Sequence, residues 1–150
     1  MTLTVQEYAA RALEKETADL IKAAQTTPAD KQPWKPLERG RTVVDQVAEC
    51  AMINTGSAQV VTNRAWGNPD MGQWQQTQAA LDTLDKAVAQ LQAGTADLVA
   101  AVRATPDDAL GQEIVLPWFT CSLAELFLMP LWNMSYHEGQ INYIQTLCEG

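Results

Sequence analysis

LWNMSYHEGQINYIQTLCEG, residues Leu131–Gly150, reads as a long helix with one buried face, and it holds the only histidine of the chain, His137. Asn133 stands one helical turn earlier. Positions four apart lie one above the other on the same side of a helix, so Asn133 and His137 aim their polar ends at one point. The face runs on in both directions through Leu126, Pro130, Gln140, Ile144 and Cys148, and the polar pair therefore interrupts an inward stripe. Ser122-Leu-Ala-Glu125 matches the S/T-x-x-E capping box, in which each side chain satisfies an otherwise orphaned N–H, and opens this helix. Pro130 is expected to kink it just before the polar pair.

Upstream, the clearest periodicity of the chain predicts a helix over residues 73–104. Leu81, Leu84, Val88, Leu91, Thr95, Leu98 and Val102 recur three and four apart, the spacing of a bundle seam and an ordinary core face. It is joined to the last helix by the connector TPDDALGQEIVLPWF (Thr105–Phe119), with a short β-like run at residues 113–116 stopped by Pro117. NRAWGNPDMG (Asn63–Gly72) is a loop by its Gly, Asn and Pro content. Before it, residues from about 39 to 61 read as a helix whose apolar face includes Val44, Val47 and Ala51. The other side carries Asp45 and Glu49 next to Met52 and Ile53, a mixed surface on which burial habits alone place Glu49 partly in solvent.

The first helix begins at Thr4-Val-Gln-Glu7, a second capping box, and shows a modest stripe of Leu13, Thr17, Leu20 and Ala24. Pro28, Pro33 and Pro36 then forbid a continuous helix and favour an extended connector, which Trp34 packs onto the body. Four helices with two long connections predict an all-α four-helix bundle in one domain, residues 1–150, a fold that places metal or ligand sites between facing helices.

Composition narrows the function. A chain of 150 residues buries roughly 68–70% of the surface it would expose unfolded, enough for a core without staples. The formal net charge of −8, with no basic stripe, works against a general nucleic-acid or anionic-membrane surface, because phosphate binding needs clustered Lys and Arg. No window approaches the ~18 apolar residues of a membrane span. Cys50, Cys121 and Cys148 are odd in number and form no CxxC pair. With the polar start MTLTVQEYAA they read as reduced thiols of a cytoplasmic protein.

Few chemistries have support. His137-Glu138 starts like the zinc motif HExxH, but position 141 is Ile, so the second histidine is missing. A nucleophile paired with the single His has no GxSxG elbow or neighbouring partner to mark it. No carboxylate pair is singled out by spacing for glycosidase-like work. Glu49, Asn133 and His137 together offer a carboxylate, an amide oxygen and an imidazole. That mixed set suits a borderline or hard divalent ion and is weak for zinc. The same three residues equally read as a buried histidine hydrogen-bonded to Glu49 and Asn133 with no metal.

WKPLERGRTVVDQVAECAMIN, the long middle helix, and EIVLPWFT with SLAELFLMPLWNMSYHEGQINYIQTL together resemble the DinB/YfiT-like (DinB-like) family of four-helix-bundle proteins. The resemblance covers nearly the whole chain and is most specific at residues 137–144. It implies a bundle with a long crossover between helices 2 and 3, commonly a homodimer. It also implies a divalent metal (Ni, Zn or Mn) held by three histidines, one on the second helix and two on the last. Carried over by position, these fall on Glu49, Asn133 and His137, so only His137 keeps the family's residue. The resemblance turns Glu49 inward. It further implies a metal-dependent small-molecule enzyme, a transferase or hydrolase-like activity, with a small-molecule partner such as the low-molecular-weight thiols bacillithiol or mycothiol. Trp118, Trp132, Tyr136 and Gln140 are then expected around a pocket, although aromatic residues beside a bundle site also serve as ordinary packing. The alternative is a non-catalytic, metal-free protein that binds a ligand or partner on the same fold.

Overall fold

The structure is a computed structural model and describes residues 2–149. Helix α1 (Val5–Thr26) is capped by Thr4, whose hydroxyl accepts the Glu7 N–H at 3.1 Å. The other half of the expected capping box is absent. Glu7 instead accepts from Arg11 Nε at 2.7 Å and Arg103 Nε at 3.0 Å, which ties the first turn of α1 to a remote helix end. Turns and bends at residues 29–33 and 36–39 interrupt the expected extended connector, with Lys31 and Gln32 N–H groups folding back on the Pro28 carbonyl.

Helix α2 (Val43–Asn63) starts later than the composition predicts, because Thr42 and Asp45 form a reciprocal capping box at 2.9 and 3.2 Å. That start sets the inward face as Val43, Val47, Cys50, Ala51 and Asn54, and leaves Val44 half-exposed. Arg64, in the left-handed region at φ 54°, ends the helix.

The single helix expected over 73–104 is two. Helix α3 (Met71–Ala80) buries none of its residues; α4 (Leu84–Ala104) begins where the Thr83 hydroxyl accepts the Lys86 N–H at 3.3 Å. Leu81 kept the phase of the seam, so periodicity hid the break. From Leu84 onward the seam is buried as the spacing requires.

A 3-10 turn (Asp107–Ala109) leads into β1 (Glu113–Val115), which pairs antiparallel with β2 (Thr120–Ser122) and places Ile114 opposite Cys121. The β-like run was legible; its partner strand was not. Ser122 and Glu125 then form the expected capping box of α5 (Leu123–Leu126), and α6 (Leu128–Glu149) follows after a break at Phe127. The break lies earlier than the proline because Pro130 has no N–H for the Leu126 carbonyl and its ring crowds that group.

Helices α1, α2, α4 and α6 form the bundle. α2 packs most closely along α4, α1 lies against α4 and α6, and α2 also meets α6, which leaves α1 and α2 across a diagonal. The long crossover, with α3 inside it, joins α2 to α4. One polar layer crosses the core: Asn54 Nδ2 donates to Thr95 Oγ1 at 2.8 Å, Thr95 shares a hydrogen bond with Thr17 at 3.0 Å, and Thr17 reaches Met134 Sδ at 3.3 Å. Each bundle helix contributes one member, so a slip of any helix would orphan a buried donor.

Gly94 fixes the close approach of α4 to α2. A Cβ there would lie 2.6 Å from Thr55 Oγ1, 3.1 Å from Thr55 N and 3.2 Å from the Ala51 carbonyl oxygen. Two of those three atoms are backbone and cannot swing aside. Gly94→Ala is therefore expected to destabilise by about 1–3 kcal/mol despite alanine's better helix propensity. A urea midpoint equal to or above that of the wild type would contradict this packing.

Candidate functional site

Glu49, Asn133 and His137, far apart in sequence, meet where α2 faces α6. The start of α2 at Val43 turns Glu49 toward α6, and the break at Phe127 sets the rotation that points Asn133 and His137 inward. His137 is 2% exposed and Asn133 8%, while Glu49 is half-buried. Glu49 Oε1 lies 3.1 Å from His137 Nε2 and accepts from Asn133 Nδ2 at 3.4 Å. The other carboxylate oxygen is paired with the Arg41 guanidinium. The hydrogen bond from His137, with Arg41 in support, holds the Glu49 carboxyl down at about 2 although burial opposes it.

Two glutamines fix the imidazole from its far side. Gln46 Oε1 and Gln140 Oε1 each lie 3.0 Å from His137 Nδ1. The amide nitrogen of Gln46 is 3.5 Å from the Arg41 carbonyl oxygen, which keeps its oxygen on the ring. Two amide oxygens at Nδ1 are acceptors for an Nδ1–H. Nε2 then presents its lone pair beside the Glu49 carboxylate oxygen, two donor atoms that a divalent ion could share.

The residues present fit a divalent ion in one respect that the fold alone does not require. Asn133 Oδ1 is buried with no hydrogen-bond partner. A half-turn of the amide would present that oxygen to the point shared by Glu49 Oε1 and His137 Nε2, completing a mixed O/O/N set. An Nδ1–H donated to an amide carbonyl is also the usual way a ligating histidine is oriented. Among the described residues no group of three or more His, Cys, Asp or Glu is placed to hold a metal, since the third donor here is an amide. Cysteine offers no alternative centre: burial pushes the Cys50 thiol, and to a lesser degree that of Cys121, away from the thiolate form.

Beside Asn133 opens an apolar cavity of about 450 Å³, walled by Trp66, Trp74, Trp118 and Trp132. Trp66 and Trp118 meet edge to face with centroids 5.0 Å apart. Gly56 leaves the room that Trp74 fills, since a Cβ there would be 2.7 Å from the indole. Trp118 and Trp132 thus line this cavity, whereas Tyr136 and Gln140 border a different one of about 500 Å³ together with Arg39, Arg41 and Gln46. Tyr136 stands between the two, stacked on Trp132 at 5.8 Å and edge-on to His137 at 5.3 Å. Sequence reasoning missed Gln46, Arg41, Trp66 and Trp74. For the two tryptophans a signal existed: large aromatic residues in the NRAWGNPDMGQW segment have no helix seam to fill.

This arrangement is a four-helix bundle whose fold recurs in solved structures. YfiT from Bacillus subtilis, described as a probable metal-dependent hydrolase with an unusual four-helix bundle topology, superposes with a TM-score of 0.78 at 17% identity, covering 96% of this chain and 87% of that one. Mycothiol-dependent maleylpyruvate isomerase superposes at 0.70 and a point mutant of it at 0.71, each at 15% identity over 91% of this chain. The chain spans 60% of the isomerase's length. No family model matches the sequence, and no curated protein does. No helix among the described residues is long and apolar enough to cross a membrane.

Proposed function

We propose that the chain is a metal-dependent small-molecule enzyme of the DinB-like type, with Glu49, Asn133 and His137 as the metal's ligands. The observation that carries this reading is the meeting of Glu49 Oε1 and His137 Nε2 at 3.1 Å next to the Asn133 amide, whose buried Oδ1 has no hydrogen-bond partner and would turn toward them. When bound, a divalent ion would lower the pKa of a coordinated thiol or water and so supply a nucleophile near neutral pH. The protein's own groups have separate tasks. Gln46 and Gln140 hold the imidazole in one orientation, His137 and Arg41 keep Glu49 ionised, and the four tryptophans give the adjoining cavity an apolar wall. The likeness to a mycothiol-dependent enzyme supports a low-molecular-weight thiol as the small-molecule partner, and a transferase, isomerase or hydrolase-like reaction.

One observation favours a metal-free alternative. Arg41 already gives Glu49 a cationic partner, so a proton on His137 Nε2 would complete a hydrogen-bonded cluster and leave the tryptophan cavity to bind a ligand without catalysis. Thermal unfolding of metal-free protein separates the two. If the site takes Ni²⁺, Zn²⁺ or Mn²⁺, free ion at ~100 times Kd adds about 2.7 kcal/mol, and Glu49→Gln removes the gain. An unfolding temperature unmoved by all three ions supports the metal-free cluster.

A further inference from the structure

We infer that the groove between residues 36–41 and α6 binds the carboxylate of a small organic acid. The groove is the cavity of about 500 Å³ bordered by Arg39, Arg41, Gln46, Tyr136, Gln140 and Tyr143. Its charge is exceptional for this molecule. The chain has 18 acidic and 10 basic residues, and the three other described cavities each include carboxylates: Glu125 in one, Asp45 and Asp82 in the next, Asp19 and Glu138 in the last. No carboxylate borders this groove, and two guanidinium groups do.

The two arginines differ in what they can still bind. Arg41 is committed to Glu49, and its Nη2 also donates to the Asp45 carbonyl at 3.3 Å. Arg39 takes part in no ion pair or side-chain hydrogen bond among the described residues. One uncommitted cation matches one negative charge, and a planar fork of N–H donors matches a carboxylate. A phosphate dianion would leave a charge uncompensated on a protein whose net charge is already −8. The tyrosine hydroxyls add hydrogen-bond donors at the rim.

Gly139, exposed on α6 between Tyr136 and Tyr143, leaves that side of the groove open, since a Cβ built on it meets nothing within 4 Å. The floor of the groove is functional: Gln46 and Gln140, which border it, are the two side chains that hold His137 Nδ1. A bound acid would therefore sit one side chain from the imidazole. The inference does not depend on a metal at Glu49, Asn133 and His137.

The test uses benzoate as the probe, benzamide as its neutral isostere and inorganic phosphate as competitor. Metal-free protein is used so that coordination of benzoate to an ion cannot give the signal. The readout is the NMR shift of the Gln140 side-chain amide and the Arg39 Nε–H. Saturable shifts with benzoate are expected, with benzamide at least about tenfold weaker. Arg39→Gln should weaken benzoate about tenfold at unchanged unfolding temperature, since Arg39 is exposed. Gly139→Leu, a favourable change for helix stability, should block binding by filling the groove. Equal binding of benzamide, no saturable shift with benzoate, indifference to both substitutions, or stronger binding of phosphate than benzoate would each overturn the assignment.

Discussion

Phe127→Ala is expected to lower the free energy of unfolding by about 3–5 kcal/mol, the usual cost of emptying a fully buried phenylalanine site. Phe127 is 0% exposed and stands at the joint between α5 and α6. The Leu126 carbonyl, freed there by Pro130, lets the chain change direction, and the phenyl ring locks the new direction against the core. Its loss should therefore loosen α6 in rotation as well as in stability, and with it the alignment of Asn133 and His137 on Glu49. Urea unfolding measures the first effect. The second shows as a changed His137 imidazole NMR signal under conditions where the variant is still folded. A loss below about 1 kcal/mol would mean that the joint is not the anchor of the last helix.

His137→Ala carries the other large effect. In metal-free protein it removes the partner of Gln46, which is 2% exposed, and the main hydrogen bond that keeps the Glu49 carboxyl at about 2. Leaving a buried amide oxygen unpaired costs about 1–3 kcal/mol. The variant should still fold, because the apolar core is unchanged and the polar layer through Asn54, Thr95 and Thr17 is untouched. Loss of the only imidazole should at the same time abolish metal-induced stabilisation, since two oxygen donors without it form a weak site for Ni²⁺ or Zn²⁺. A variant as stable as the wild type and equally stabilised by these ions would place the metal elsewhere.

The bundle was legible in the sequence wherever the signal was local. The α4 seam, the Ser122–Glu125 box and the proline-marked end of α1 follow from spacing and cap chemistry, and the structure has each of them. The seam also misled: Leu81 keeps its phase, so the cap at Thr83 was overridden and two helices read as one. The Thr42–Asp45 box departs from the S/T-x-x-E/Q form by its Asp, and so it does not stand out inside the run read as helix from about residue 39.

The candidate site was legible only in part, because its parts are non-local. Asn133 and His137 share a helix face, which spacing reveals. Glu49 joins them in the sequence only as a chemically suitable third donor, and the resemblance to DinB-like proteins turns it inward, while periodicity leaves its side of α2 mixed. Gln46 and Asn54 look like solvated positions on a helix, and tertiary packing buries both. Arg41 lies in a connector that no periodicity orients, yet its pairing with Glu49 is the feature that most affects whether the site needs a metal. Four tryptophans from α6, the hairpin, α3 and a loop converge on one cavity, which no single window of sequence contains.

The most direct test of the account is the metal content of protein purified without chelators or a metal-affinity tag, measured by elemental analysis beside the His137→Ala variant. A site formed by Glu49, Asn133 and His137 predicts stoichiometric divalent metal in the wild type and none in the variant. Wild-type protein without stoichiometric metal, or equal metal in both, would contradict it.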